Sequence, residues 1–157
     1  MSLYIGLNVS KKALARANDW KDKNSGESLT EVLLKGDGSL GVSCTLKFQR
    51  EVGKDSFVDA FSDAFAGCND VASVTKFKES LGECVGTSVK KGDELVFFWL
   101  GSTDIAVAKN GSTPIICNLG SEEICCRLLD VYVDPKRTVS QELRSCVYDH
   151  LQKIRTV

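Results

Sequence analysis

Leu3, Ile5, Leu7 and Val9 alternate with Tyr4, Gly6 and Asn8. That period of two predicts a half-buried β-strand. Ser10 is placed to cap a short helix through Ala15 toward Trp20, and a polar loop, 21–27, follows. A second short helix is expected over 28–35, closed by Gly36-Asp37-Gly38. The period of two returns at Val42, Cys44, Leu46 and Phe48, predicting a strand that ends near Gly53. From 54 to 66 a helical repeat takes over. Phe57, Phe61 and Phe65 recur every four residues, with Ala60 and Ala64 beside them on the same side. Asp70 is the expected cap of the next helix, whose buried stripe is Val71, Val74, Phe77 and Leu81. A linker rich in Gly and Lys then leads to Lys91.

The stretch 92–133 is the most legible part of the chain. Its continuous apolar run, 95–100, is rich in aromatics and predicts a strand covered on both faces. The strand expected over 104–109 is followed by Asn110-Gly111, the dipeptide that best tolerates the positive φ angles of a tight hairpin. The return strand is expected over 114–118. Ser121 then caps a helix with Glu122 and Glu123 at the positive end of its dipole and Ile124, Leu128 and Val131 as its stripe. Thr138 and Gln141 form a capping box for a last helix that turns Leu143, Val147, Leu151 and Ile154 inward. Strands joined by hairpins and meander predict an α+β fold: an antiparallel sheet with a layer of helices on one face. One domain spans 1–157, without a repeat or low-complexity tract.

Length and composition narrow the function classes. A chain of 157 residues can bury a stable core unaided. Its 20 basic and 21 acidic side chains offer no footprint for nucleic acid or an anionic membrane. No apolar run approaches the roughly 20 residues that cross a bilayer, and no secretory signal is expected at the N-terminus. The seven cysteines form no C-x-x-C pair. Cys125 and Cys126 are adjacent, so on a helix they diverge by about 100° and do not close a zinc site. Buried thiols in a reducing compartment, cytosol or plastid interior, are the expectation.

The residues offer no catalytic constellation. The single histidine, His150, lies late in an expected helix as a solvated residue, with no nucleophile motif beside it. Phosphate-loop, zinc-protease and dinucleotide fingerprints are absent from the sequence, so no metal or cofactor is expected. Lys90-Lys91 and Asp134-Pro135-Lys136-Arg137 are charge runs of solvated loops. The Phe57/Phe61/Phe65 face suits either a packed core or the wall of an apolar cavity.

Several segments carry a resemblance. Lys90-Lys91-Gly92-Asp93-Glu94-Leu95-Val96-Phe97, the hairpin, and Cys126-Arg127-Leu128-Leu129-Asp130-Val131-Tyr132-Val133 resemble the chalcone isomerase family. So do Tyr4-Ile5-Gly6-Leu7-Asn8-Val9, Gly53-Lys54-Asp55-Ser56-Phe57-Val58-Asp59-Ala60-Phe61, and Val139-Ser140 with 142–145. The likeness is greatest to the non-catalytic, fatty-acid-binding branch. It implies an open-faced β-sandwich that lacks the first strand or strands of the family, as in an N-terminally truncated chain. The strand at 3–9 would then be an exposed edge prone to self-association.

In the isomerases an arginine orients the chalcone, and a threonine, tyrosine, lysine and asparagine bind its oxygens or ordered water. By the resemblance, the arginine belongs to a strand before Leu3, the threonine position falls at about Leu3, and the tyrosine position falls on Phe57. The lysine falls on Ala60 and the asparagine on Ala64. The two substrate-selecting positions fall near Val131 and Tyr132. The polar set is absent or apolar, and loss of such oriented donors costs orders of magnitude in rate. No catalytic residue is therefore assigned. The implied ligand site comprises Leu3, Arg50, Phe57, Ala60, Phe61, Ala64, Val131 and Tyr132, with Arg50 and Tyr132 as the pair for a carboxylate. The implied ligand is a fatty acid or a flavonoid-like amphipathic molecule. Two other readings stay open: an active chalcone isomerase, and an accessory protein acting by contact with a partner enzyme.

Overall fold

Alternation becomes a five-stranded antiparallel sheet in the computed structural model, which describes residues 3–13, 15–16, 29–34, 40–62 and 64–133. β1 (Leu3–Val9) pairs with β2 (Leu40–Phe48) in unbroken register, from Leu3 opposite Phe48 to Val9 opposite Val42. The short strands β3 (Val52–Gly53) and β4 (Ser88–Val89) pair with each other as a separate ribbon. β5 (Glu94–Leu100), β6 (Asp104–Lys109) and β7 (Ile115–Ile116) complete the main sheet in the order β1-β2-β5-β6-β7. Among the described residues β1 is therefore an outer strand.

Val42, Cys44, Leu46 and Phe48 are all buried while Lys47 is exposed, as the period of two requires. β5 departs from expectation. Leu95, Phe97 and Trp99 are buried, but Val96, Phe98 and Leu100 are half-buried, so it is covered fully on one face only. The reason is the layer order, because a ring contact from Phe77 and the hydrogen bond to Cys125 O, both from the helices, reach Phe97 and Trp99 on that single face. The unbroken buried run belongs instead to β6, at 105–108. There Ala106 and Ala108 stand opposite Phe98 and Val96, whose bulk screens them.

Four helices of the described residues lie between strands or after them. They are α1 (Leu29–Leu34), α2 (Lys54–Asp59), α3 (Val71–Val85) and α4 (Glu122–Val133). Residues 11–13 and 15–16 are also helical, with Ser10 Oγ accepting from Ala13 N at 3.2 Å. The expected caps of the longer helices are present. Asp70 accepts from Ser73 N at 3.1 Å and from Ser73 Oγ at 2.7 Å. Ser121 Oγ accepts from Ile124 N at 3.4 Å. The stripe Ile124 and Leu128 is buried, with Cys125 and Leu129 beside it and Val131 half-buried.

Val71 is not part of the stripe of α3, being 68% exposed. A helical side chain leans over the turn that precedes it, and Val71, the first helical residue, has no such turn. Val74, Phe77, Leu81 and Val85 carry the packing instead.

The hairpin turn is the one expected. Asn110 and Gly111 have φ of 52° and 74°, and Ser112 N donates to Lys109 O at 3.0 Å. The return strand is shorter than 114–118, because Asn118 takes φ 56° and turns the chain toward α4.

Two further features differ from the sequence reading. The expected linker before Lys91 contains β4. Its anchor is Lys109, whose Nζ donates to Val85 O at 2.9 Å and Ser88 O at 3.0 Å at the C-terminal end of α3, where a cation is favoured. The expected helix over 54–66 stops at Asp59. Ala60 N still reaches Ser56 O, but Phe61, Ser62, Phe65 and Cys68 donate to carbonyls three residues back. The segment is thus a succession of tight turns. The loop 21–27, the Gly36-Asp37-Gly38 turn and the final helix from Thr138 to Ile154, with His150, lie outside the described residues.

Candidate functional site

Six of the seven phenylalanines form one connected cluster beneath the sheet. Phe48 of β2 meets Phe57 of α2 edge-to-face at a centroid distance of 5.3 Å, and Phe57 meets Phe61 at 5.3 Å. Phe61 in turn meets Phe77 of α3 and Phe97 of β5, each at 5.7 Å. Phe65 meets Phe77 at 5.4 Å. These are the spacings at which aromatic edges and faces attract. The rings belong to the buried core between the sheet and the helices.

The eight residues of the expected ligand site fall into different environments. Phe57, Phe61 and Ala64 are buried. Leu3 stands opposite Phe48 in the β1–β2 register, so its backbone reaches the Phe57 end of the cluster. Arg50 is exposed two residues beyond Phe48 and forms no hydrogen bond or ion pair among the described residues. Ala60 is exposed, so it does not share a side with Ala64. The early end of α2 accounts for this: beyond Asp59 the four-residue spacing no longer repeats one helical face. Val131 packs half-buried against the core from α4, and the side chain of Tyr132 lies outside the described residues.

Helix α4 is held over the cluster at two points. Trp99 Nε1 donates to Cys125 O at 3.0 Å inside the core. Arg127 Nη1 donates to Ala66 O at 2.8 Å, tying α4 to the turns that follow Phe61. Phe48, Phe77, Phe97 and Arg127 were not assigned to the site from sequence. The aromatic positions were visible as buried strand or helix residues, but nothing local joins rings from four separate segments. No sequence signal marks Arg127, whose acceptor is a backbone carbonyl.

Two shallow depressions of about 460 and 450 Å³ lie beside Lys54 and Asp55, between α2, α3 and the β3–β4 ribbon. Neither is lined by a ring of the cluster. Hydrogen bonds from Ser73 hold the Asp70 carboxyl below its ordinary value. Burial pushes the thiols of Cys117 and Cys126 up to about 11 and that of Cys125 to about 12. The six described cysteines are free, and all are neutral at pH 7 where a shift is resolved. Among the described residues no group of three or more His, Cys, Asp or Glu could hold a metal ion, and no helix is long and apolar enough to cross a membrane.

No protein-family model and no curated protein matches the sequence. Among solved structures the chain is similar to the crystal structure of a fatty-acid binding protein of Arabidopsis thaliana. The TM-score is 0.69 at 14% identity, over 96% of this chain and 78% of that one. A likeness at that identity establishes the fold. It is the α+β fold, antiparallel sheet with helices, that the chalcone isomerase resemblance implies.

Proposed function

We propose that this protein is a non-catalytic chalcone isomerase-like protein that binds a fatty acid or similar amphipathic molecule between its sheet and residues 57–65. The observation that carries the reading is the position of Phe57. Where the resemblance puts the tyrosine of an isomerase, a phenyl ring contacts Phe48 and Phe61 at one end of an apolar cluster. Arg50 stands exposed two residues beyond Phe48, the right chemistry for a carboxylate at that end. The structural likeness to a fatty-acid binding protein supports the reading, as does the apolar replacement at Ala64.

Delipidated protein titrated with fluorescent laurate or palmitate should saturate, and Arg50→Ala should weaken binding. Absence of saturation below high micromolar concentration refutes the proposal. An absorbance assay with naringenin chalcone separates it from an isomerase, for which turnover would exceed the buffer rate.

The close packing of the rings favours a second reading, an accessory protein that acts by contact with an enzyme. Co-purification of a defined enzyme from source tissue, with no fatty acid bound, would select it. Self-association through β1 belongs with either reading and rests on its outer place in the sheet. A strict monomer in light scattering at high concentration counts against it. The free thiols support a reducing compartment.

A further inference from the structure

The rings of the cluster meet one another directly, so an apolar tail that passes between them must move a ring. The structure points to which part moves. We propose that residues 60–62 and 64–67 form a latched strap, held to α4 by Arg127 and to α3 by Lys78, whose release uncovers the interior of the cluster. Its role in admitting a ligand rests on the fatty-acid reading above; the latch itself does not.

Three observations converge on this segment. Among the described residues its backbone makes no helical bond beyond Ala60: Phe61, Ser62, Phe65 and Cys68 donate three residues back, at 3.2, 2.9, 3.3 and 3.0 Å. Such short turns are not reinforced along their length as a helix is, and segments of this kind open locally at lower cost than strands.

Second, its side chains hold the cluster shut. Phe61 meets Phe77 and Phe97, and Phe65 meets Phe77, so lifting the segment takes two rings off α3 and β5 together. Phe57 stays behind on α2, against Phe48.

Third, the polar ties are few and lie at the surface. Lys78 Nζ donates to Ser62 Oγ at 2.9 Å. Arg127 Nη1 donates to Ala66 O at 2.8 Å, while its Nε lies 3.4 Å from Glu123 Oε1. The same Glu123 oxygen accepts from Asn69 N at 3.4 Å, just beyond the strap. Arg127 and Glu123 are one helical turn apart on α4, so one half-buried pair orients the guanidinium toward the carbonyl it holds. Cys68, half-buried beside this pair, reports from the hinge.

Hydrogen–deuterium exchange of the full chain tests the latch. Loss of one charge-assisted hydrogen bond in Arg127→Ala should speed exchange of peptides over 60–69 by about five- to tenfold. Peptides of β2, β5 and α3 should be unchanged. Alkylation of Cys68, resolved by peptide mass spectrometry, should accelerate while Cys44, Cys117 and Cys125 stay protected. Lys78→Ala should act in the same place, and Arg127→Lys should fall between wild type and Arg127→Ala. Exchange over 60–69 that is unchanged in both alanine variants overturns the strap, and so does acceleration spread evenly over the chain. Laurate titration of the same proteins distinguishes the two ideas. Localised acceleration without binding removes the ligand reading and keeps the strap; binding with unaltered exchange does the reverse.

Discussion

Replacing Phe61 by alanine measures how completely the cluster is filled. Phe61 has three ring partners, as Phe77 does, meeting Phe57 at 5.3 Å and Phe77 and Phe97 at 5.7 Å. It is 7% exposed, so nearly all of its apolar surface is lost to water in the fold. Truncation of a buried phenylalanine costs about 3–5 kcal/mol, the spread depending on how far the surroundings collapse. Edge-to-face contacts add about 0.5–1.5 kcal/mol each beyond burial, which favours the upper part of that range. The turns of residues 60–62 and 64–67 can relax toward the cavity, which lowers it. Phe61→Ala should therefore cost about 4 kcal/mol, and Phe65→Ala, with one ring partner, about 3 kcal/mol. Urea unfolding gives the number directly, with Trp20→Phe as background so that buried Trp99 reports alone. In a domain of this size about 4 kcal/mol lowers Tm by roughly 8–16 °C. A cost below about 1 kcal/mol with an unaltered m-value refutes the reasoning, since the ring would then occupy space that is not filled around it.

Phe57→Tyr places a hydroxyl between Phe48 and Phe61 and should cost about 1–3 kcal/mol, the penalty for a buried polar group without a partner. A neutral result in urea unfolding would mean that the para position of this ring reaches water. Asp70→Ala removes the cap of α3 and should lower the urea midpoint at pH 6. Hydrogen bonds from Ser73 lower the folded carboxyl from the ordinary 3.8, so its contribution is present above that value and lost as pH falls through the lower folded one; the difference between wild type and variant should shrink as pH is lowered below 3.8. The raised thiols act at the other extreme. Cys117, Cys125 and Cys126 ionise near 9.0 when unfolded but near 11, 12 and 11 when folded, so stability is intact below pH 9 and falls as pH rises through that window. Urea midpoints should be steady from pH 7 to 8.5 and decline above 9, less steeply in Cys125→Ala; a midpoint independent of pH up to 10.5 would contradict the burial of these thiols.

The parts of the fold that were legible are those fixed by neighbours in sequence. Side chains on β2 alternate because a strand turns over at every residue, and the Asn110-Gly111 turn needs only local φ angles. Asp70 and Ser121 reach amides three residues away. What escaped depends on distant segments. β3 and β4 have two residues each and exist only because Val52 finds Val89. The run 95–100 is equally apolar on both sides, and only the placement of the helices decides which side is covered. The segment after Asp59 is the sharpest case. Its composition is compatible with a helix, and Phe57, Phe61 and Phe65 are all buried as a helix would have them. The turns are set by docking onto Phe77 and Phe97, which no local propensity encodes.

That one change of backbone bears directly on the positions that the resemblance assigns to the site. On a continuous helix, positions 57, 60 and 64 lie within one arc of about 60°, and groups placed there converge on a common point. Here position 57 is buried against Phe48, position 64 is buried, and position 60 faces solvent. Polar groups restored at all three would enter unlike environments, two dry and one wet, and would not converge. Groups at the three positions would converge only if the helix continued beyond Asp59. On such a helix Phe61 and Phe65 would stay within about 80° of Phe57, on the buried side. The tight turns seen here and a continuous helix are alternatives for the same stretch of chain. The turns, with edge-to-face packing at 5.3–5.7 Å, are what this sequence adopts.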